Sequence, residues 1–114
     1  MLTNAIIIFT ITAIGGLFLA SKVLTGKLAP WFVSIVHALL GASGLAILIS
    51  IVMSGQGTGR LTAALGLLVV AALGGFLLAS FHLRGKLPPK GIVIIHAGVA
   101  VAGFLTLLSI ALGL

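Results

Sequence analysis

The 114-residue chain contains no aspartate, no glutamate and no cysteine. Without a carboxylate side chain, nothing can orient a histidine as a general base or act as the membrane carboxylate on which small proton-coupled exporters depend. Without cysteine there are no disulfides, no thiolate metal sites and no iron–sulfur ligands. These absences exclude ordinary hydrolytic catalysis and many other enzyme mechanisms.

Charged residues are scarce, and apolar residues take their place. Only 5% of the chain is charged, all of it Lys or Arg, whereas 61% is hydrophobic. A water-facing surface cannot be built from this composition, which is typical of an integral membrane protein. The six cations lie at the boundaries of apolar stretches and form no basic surface with aromatic platforms, so the sequence does not indicate nucleic-acid binding.

Four apolar stretches divide the chain, near residues 3–22, 31–53, 61–82 and 91–113. Each has about twenty residues, enough to cross roughly 30 Å of hydrocarbon as a helix. The connections are short and contain Gly, Pro, Ser or a cation, as helix ends and turns require. The sequence therefore predicts an all-α fold, an integral membrane four-helix bundle in which residues 1–114 form a single transmembrane domain.

The distribution of cations predicts the orientation of this bundle. Five of the six cations lie in or beside the first and third connections, and only Arg60 lies in the second. By the positive-inside rule, loops 23–30 and 83–90 face the cytoplasm and both termini face outward. We expect an integral protein of the bacterial inner (cytoplasmic) membrane.

The chain contains an internal repeat. Residues 13–51 align with residues 72–110 without a gap and share about 18 identities in 39 positions. The alignment predicts two helical-hairpin repeats, about 3–53 and 61–113. Because each repeat holds two helices, the repeats run parallel, and equivalent residues lie at equal depth in the membrane. Duplication of a hairpin would by itself preserve packing glycines and turns, so these matches alone do not require a functional site.

One histidine recurs in each repeat, as His37 and His96. Each lies about seven residues into its helix, near 10 Å below the basic face at 1.5 Å per residue. Ionisable residues inside membrane segments are costly and typically mark functional sites that face the bundle interior. Glycine pairs lie at almost the same depth on the other two helices. Two imidazoles at one level, with missing side chains beside them, suit a flat macrocycle that needs two axial ligands and close approach of the backbone.

This arrangement resembles the membrane b-type cytochromes, in which histidine pairs hold haem inside a four-helix bundle and glycines lie where the ring passes a helix. The resemblance implies one haem b, with His37 and His96 as axial ligands of the iron, and electron transfer to or from quinol or a larger redox complex. The larger members of that class have two histidine pairs, whereas this chain has one. We expect further cofactor contacts from glycines near the histidines and from hydroxyls and cations at the basic face that the propionates could reach: Gly15, Gly16, Gly74, Gly75, Gly41, Gly44, Gly103, Ser21, Ser80, Lys27 and Lys86.

Two alternatives remain open. The chain can be an accessory or structural subunit of a respiratory or photosynthetic complex, in which the histidines bind a chlorophyll-type pigment singly or bind no cofactor and only hydrogen-bond across helices. It can also be a small transporter or channel whose path is lined by the histidines with Ser34, Ser43, Thr12 and Thr106. The lack of a carboxylate and of inverted repeats disfavours transport. The sequence favours an electron-transfer or accessory subunit over a stand-alone enzyme.

The expected partners follow from these hypotheses. They are the lipid bilayer, other membrane subunits or a second copy of the chain, and, as a further candidate, quinone. The lysines can equally obey the positive-inside rule and hold anionic lipid headgroups. Trp31 is expected to be an interfacial anchor. The position equivalent to His82 in the first repeat is Val23, so His82 has no histidine partner. We expect His82 to lie at the membrane interface, with a haem or quinone contact as the alternative.

Overall fold

The computed structural model describes all 114 residues and consists of four α-helices joined by short turns. The helices are α1 (Leu2–Leu24), α2 (Trp31–Met53), α3 (Gly59–Leu83) and α4 (Lys90–Ala111). All four are long and apolar enough to cross a membrane. The prediction of an all-α four-helix bundle is confirmed, with helix bounds that differ from the predicted ones by about two residues.

The helices end where glycine allows the chain to reverse direction. Gly26 and Gly85 follow α1 and α3 with φ of +85° and +65°, a left-handed conformation that favours glycine. At both ends the next residue closes the turn: the N–H of Lys27 donates to the carbonyl of Lys22 and that of Lys86 to the carbonyl of Phe81, each over 2.9 Å. These are the hydrogen bonds of a Schellman motif, so the shared Gly-Lys-Leu sequence serves as a helix stop.

The helices are arranged as a square. α1 packs mainly on α2 and α3 mainly on α4, while smaller interfaces join α1 to α4 and α2 to α3. α2 and α4 are therefore diagonal neighbours across the centre, as are α1 and α3. The bundle is 42 Å long and 22 by 19 Å across. The turns at residues 25–30 and 84–89 have five of the six cations in or near them and lie at one end, which we call the basic end.

The apolar core occupies the half of the bundle away from the basic end. We call this the core half, and the half that begins at the histidines the basic half. The core comprises Ala5, Phe9, Leu48, Ile51, Leu61, Ala64, Leu68 and Leu107. Of all the buried side chains, only Val93 lies between the histidine level and the basic end. The basic half is therefore much less tightly packed than the core half.

Candidate functional site

His37 on α2 and His96 on α4 meet across the centre of the bundle. Their ring centroids are 6.4 Å apart, and the ring planes are inclined at 75°. Both side chains are half-buried. The structure thus brings together the two residues that the sequence proposes as ligands of one centre.

Each imidazole is held by a backbone carbonyl of the neighbouring helix. The Nδ1 of His37 lies 2.9 Å from the carbonyl oxygen of Thr12, and the Nδ1 of His96 lies 2.7 Å from that of Ala71. Because a carbonyl can only accept, both Nδ1 atoms carry the proton and donate. In the neutral rings, Nε2 then keeps a free lone pair, which is the tautomer commonly found in histidines that bind metals.

Sequence reasoning missed Thr12 and Ala71 as partners of the histidines. They are related by the same offset as the repeat, one position before the two aligned segments, and each lies 25 residues before its histidine. Their side chains differ, and the group that matters is a backbone carbonyl, which every residue has. Only the constant spacing within the repeat could have indicated them.

The glycine pairs lie beside the histidines, as their depth predicted. A Cβ atom on Gly16 would lie 2.9 Å from Cε1 of His37, and one on Gly75 would lie 3.2 Å from Cε1 of His96. Gly15 and Gly74 face the Nδ1 atoms of the same two rings, at 3.9 and 3.5 Å from a Cβ. The imidazoles therefore occupy the space that the missing side chains leave. A contact between these glycines and a macrocycle edge stays a prediction.

The three other glycines proposed as cofactor contacts face side chains other than the imidazoles. Gly44 faces the ring of Phe9, with 2.6 Å from a Cβ to the nearest ring atom, and Gly103 faces Leu68 at 2.8 Å. Both lie about 10 Å along the helix axis from the histidine of the same helix, seven residues away at 1.5 Å per residue. Gly41 is nearer, with a methyl group of Thr12 at 3.8 Å. The structure thus places Gly44 and Gly103 in the core half, away from the histidine pair.

The polar residues predicted to reach propionates are also separated from the pair. Ser21 and Ser80 donate their hydroxyl hydrogens to carbonyls of their own helices, over 2.7 and 2.6 Å. Lys27 and Lys86 are exposed in the turns at the basic end. The cofactor role of these four residues stays a prediction, and no contact in the structure links them to the histidines.

Another cluster lies at the basic end, where α2 meets α3. The indole of Trp31 stacks on the imidazole of His82, with centroids 3.7 Å apart and planes 6° from parallel. The Oγ of Ser34 lies 3.3 Å from Nδ1 of His82. The sequence singled out these residues one by one but did not predict that they meet. A signal existed, because all three positions carry a different residue in the other repeat.

The protein donors near the histidine pair number only two. No group of three or more His, Cys, Asp or Glu side chains could hold a metal ion. A structural zinc site has about four protein ligands and a catalytic one about three, so the pair falls short of either. Two imidazoles would be enough only for a metal whose other ligands came from a prosthetic group.

One member of the pair, His96, is also reached from the outer surface of the bundle. An open groove of about 430 Å³ lies between α3 and α4 and is lined by His96. The other side chains along the groove are apolar. His96 thus borders a surface that an apolar environment would cover.

No protein-family model, no curated protein and no solved structure matches the chain, so its function has to be inferred from the arrangement of its side chains.

Proposed function

We propose that this chain is an integral membrane protein that binds one haem b between His37 and His96 and transfers electrons. When bound, such a haem would supply one-electron redox chemistry, and His37 and His96 with their surroundings would set its potential. Quinol or a subunit of a larger redox complex is the proposed electron donor or acceptor. We also propose that the bundle consists of two parallel hairpin repeats, with the basic end in the cytoplasm and both termini outside.

The observation that carries this proposal is the separation of the two imidazoles. For one haem to be held by Nε2 of His37 and Nε2 of His96, the two imidazoles would have to lie close together on different helices. The ring centroids of His37 and His96 are 6.4 Å apart. With both Nδ1 atoms held by carbonyls, the two Nε2 atoms are the free donors on a pair of rings at this spacing.

The donor count supports haem over a bare metal ion. Two imidazoles leave most of a metal's coordination sphere open, and no further metal-binding side chain is available nearby. A porphyrin supplies the equatorial nitrogens itself. The loose packing of the basic half also favours a bulky cofactor such as haem, because Val93 is the only buried side chain there.

The protein's own residues contribute orientation and burial. The carbonyls of Thr12 and Ala71 fix each ring and its tautomer, and such hydrogen bonds make the imidazole more basic as a ligand. Gly16 and Gly75 let the rings lie directly against the helix backbone. The other side chains that line the groove at His96 are apolar, which would disfavour water at the site.

The proposal is tested by the absorbance spectrum of the detergent-purified protein, first oxidised and then reduced with dithionite, with a pyridine haemochrome assay for stoichiometry. We expect a sharp reduced α-band of the b type and about one haem per chain, because the chain has a single histidine pair. His37→Ala and His96→Ala should each remove the low-spin spectrum. Ser43→Ala is the matched control, since its hydroxyl bonds only to the carbonyl of Leu39 on its own helix.

Each other outcome has a definite meaning. A colourless wild-type protein would contradict the proposal and leave a packing or transport role. Bands of a chlorophyll-type pigment would assign the histidines to a photosynthetic accessory subunit. A b-type spectrum that survives both histidine substitutions would place the haem elsewhere.

A further inference from the structure

The cluster of Trp31, Ser34 and His82 lies on one side of the bundle only. Trp31 and Ser34 belong to the first turn of α2, and His82 belongs to the last turn of α3. Ser34 and His82 are half-buried, while Trp31 is 44% exposed. An indole, a hydroxyl and an imidazole thus meet at the boundary between the basic end and the interior.

Ser34 is the one serine of the chain whose hydroxyl does not donate to a carbonyl three or four residues earlier. The other six donate their hydroxyl hydrogens to carbonyls three or four residues earlier in the same helix: Ser21, Ser43, Ser50, Ser54, Ser80 and Ser109. Such local bonds are the ordinary choice of serine in an apolar helix. The hydroxyl of Ser34 instead meets His82 on the neighbouring helix. Ser34 therefore belongs to a polar group that extends beyond its own helix.

The positions in this cluster break the internal repeat. The residues equivalent to Trp31, Ser34 and His82 are Lys90, Val93 and Val23. Val93 is buried in the structure, so the same place on the other side of the bundle is filled by an apolar side chain. The packing of the hairpin does not by itself demand a polar cluster here.

The cluster also lies close to the histidine pair. Ser34 precedes His37 by three residues, which puts both on one face of α2, with Ser34 one turn nearer the basic end. This region is the loosely packed half of the bundle. A group that extends from the level of the histidines toward the basic end would pass the cluster.

The chemistry of the cluster suits a carboxylate. The imidazole of His82 carries an N–H and Ser34 carries a hydroxyl hydrogen, and a carboxylate can accept both. The chain has no Asp or Glu to compete for them. The nearby Arg84 is engaged, with its Nε 3.2 Å from the carbonyl of Ser80 and its guanidinium 4.7 Å from the ring of Phe81.

We propose that Trp31, Ser34 and His82 form a binding site for a carboxylate. The inference rests on the proposed function, and in that haem protein the carboxylate is a propionate of the haem. His82 and Ser34 donate to it, and the indole of Trp31 holds the imidazole in place from its other face. Ser34 thus takes the role that the sequence assigned to Ser21 and Ser80, whose hydroxyls bond within their own helices.

The test uses the purified holoprotein and two readouts. One is the propionate bending band in the resonance Raman spectrum, which responds to hydrogen bonds on the propionate. The other is the rate at which haem passes to an excess of a soluble apoglobin. His82→Val and Ser34→Val introduce the residues found at the equivalent positions of the other repeat. We expect both variants to shift the band and to lose haem about tenfold faster, because each removes a hydrogen bond to a charged group.

Two controls keep the result interpretable. Ser50→Ala removes a hydroxyl that bonds only within α2 and should leave band and rate unchanged. His82→Gln retains a donor and should restore part of the wild-type behaviour. If His82→Val fails to fold, Ser34→Val gives the same comparison.

The outcomes separate this inference from the proposed function. If wild type shows the b-type spectrum but neither valine variant changes the Raman band, the carboxylate site is wrong and the haem site stands. Faster haem loss without a band shift would also overturn it, since that result indicates lost packing. A wild-type protein without haem overturns both proposals.

Discussion

The two halves of the bundle differ in the side chains that fill them. In the core half, apolar side chains from all four helices bury one another, and Leu48 and Leu107 are wholly buried. In the basic half, histidines meet across the centre, a polar cluster joins α2 to α3, and Val93 is the only buried side chain. The comparison indicates that the core half provides stability, whereas the basic half keeps polar groups available.

Glycine shows the same division. In the core half, Gly44 and Gly103 make room for apolar side chains of α1 and α3, the ring of Phe9 and the branched end of Leu68. In the basic half, Gly16 and Gly75 make room for imidazoles. Small residues at helix contacts are ordinary in membrane bundles. What differs between the halves is the chemical nature of the side chain that they admit.

The largest effects should come from one substitution in each half, Leu48→Ala in the core half and His96→Ala in the basic half. Leu48→Ala leaves a cavity in the core half and should lower the free energy of unfolding by about 2 to 5 kcal/mol. His96→Ala should remove the haem altogether yet cost the apoprotein less, because its side chain is only half-buried. Thermal unfolding in detergent and the reduced spectrum, measured on both variants, check the pair. Loss of haem in a folded Leu48→Ala protein would show that the two halves are not separate in function.

The next effect concerns the glycines beside His37. Gly16→Ala places a methyl group 2.9 Å from Cε1 of His37, a distance that forces the ring to move, whereas the same change at Gly15 gives an ordinary contact at 3.9 Å. We expect Gly16→Ala to reduce low-spin haem several-fold, because a displaced ligand no longer reaches the iron in the right orientation. Gly15→Ala should stay close to wild type. Electron paramagnetic resonance of the oxidised protein distinguishes low-spin from high-spin iron, and equal signals from the two variants would contradict the role of Gly16.

Gly44→Ala tests the core half with the same substitution. Its new methyl group would lie 2.6 to 2.9 Å from atoms of the Phe9 ring. Overpacking of this kind costs about 1 to 3 kcal/mol, so the melting temperature should fall. The haem spectrum should not change, since Gly44 makes no contact with the histidines. A changed spectrum at full occupancy would extend the site into the core half.

Much of this architecture could be predicted from the sequence. Apolar length and the Gly-Lys-Leu stops indicate the four helices, and the shared offset indicates that His37 and His96 lie at one depth. The depth of Gly16 and Gly75 was also predictable. Their contact with the imidazoles was not, because a depth along the helix does not say in which direction a side chain points. Gly44 was expected to contact the cofactor, yet its space is filled by Phe9, a side chain from another helix.

The cluster at the basic end could not be predicted for a similar reason. Trp31 and His82 are about fifty residues apart, and their stacking depends on how closely α2 approaches α3. That approach is set by packing across the whole interface. The repeat indicated only that these positions differ between the hairpins.

The smallest effect should come from Thr12→Ala, which makes α1 resemble α3 at the point where each carbonyl holds a histidine. The buried hydroxyl of Thr12 donates to the carbonyl of Ile8, 2.8 Å away, and Ala71 serves His96 without any hydroxyl. Because the bond to His37 comes from the backbone, the substitution removes no contact to the imidazole. We expect unchanged haem occupancy and a loss of stability below about 1.5 kcal/mol, the upper range for a neutral hydrogen bond. A marked change in the potential of the haem would mean that the hydroxyl polarises the carbonyl of Thr12, and the two hairpins would then hold their histidines differently.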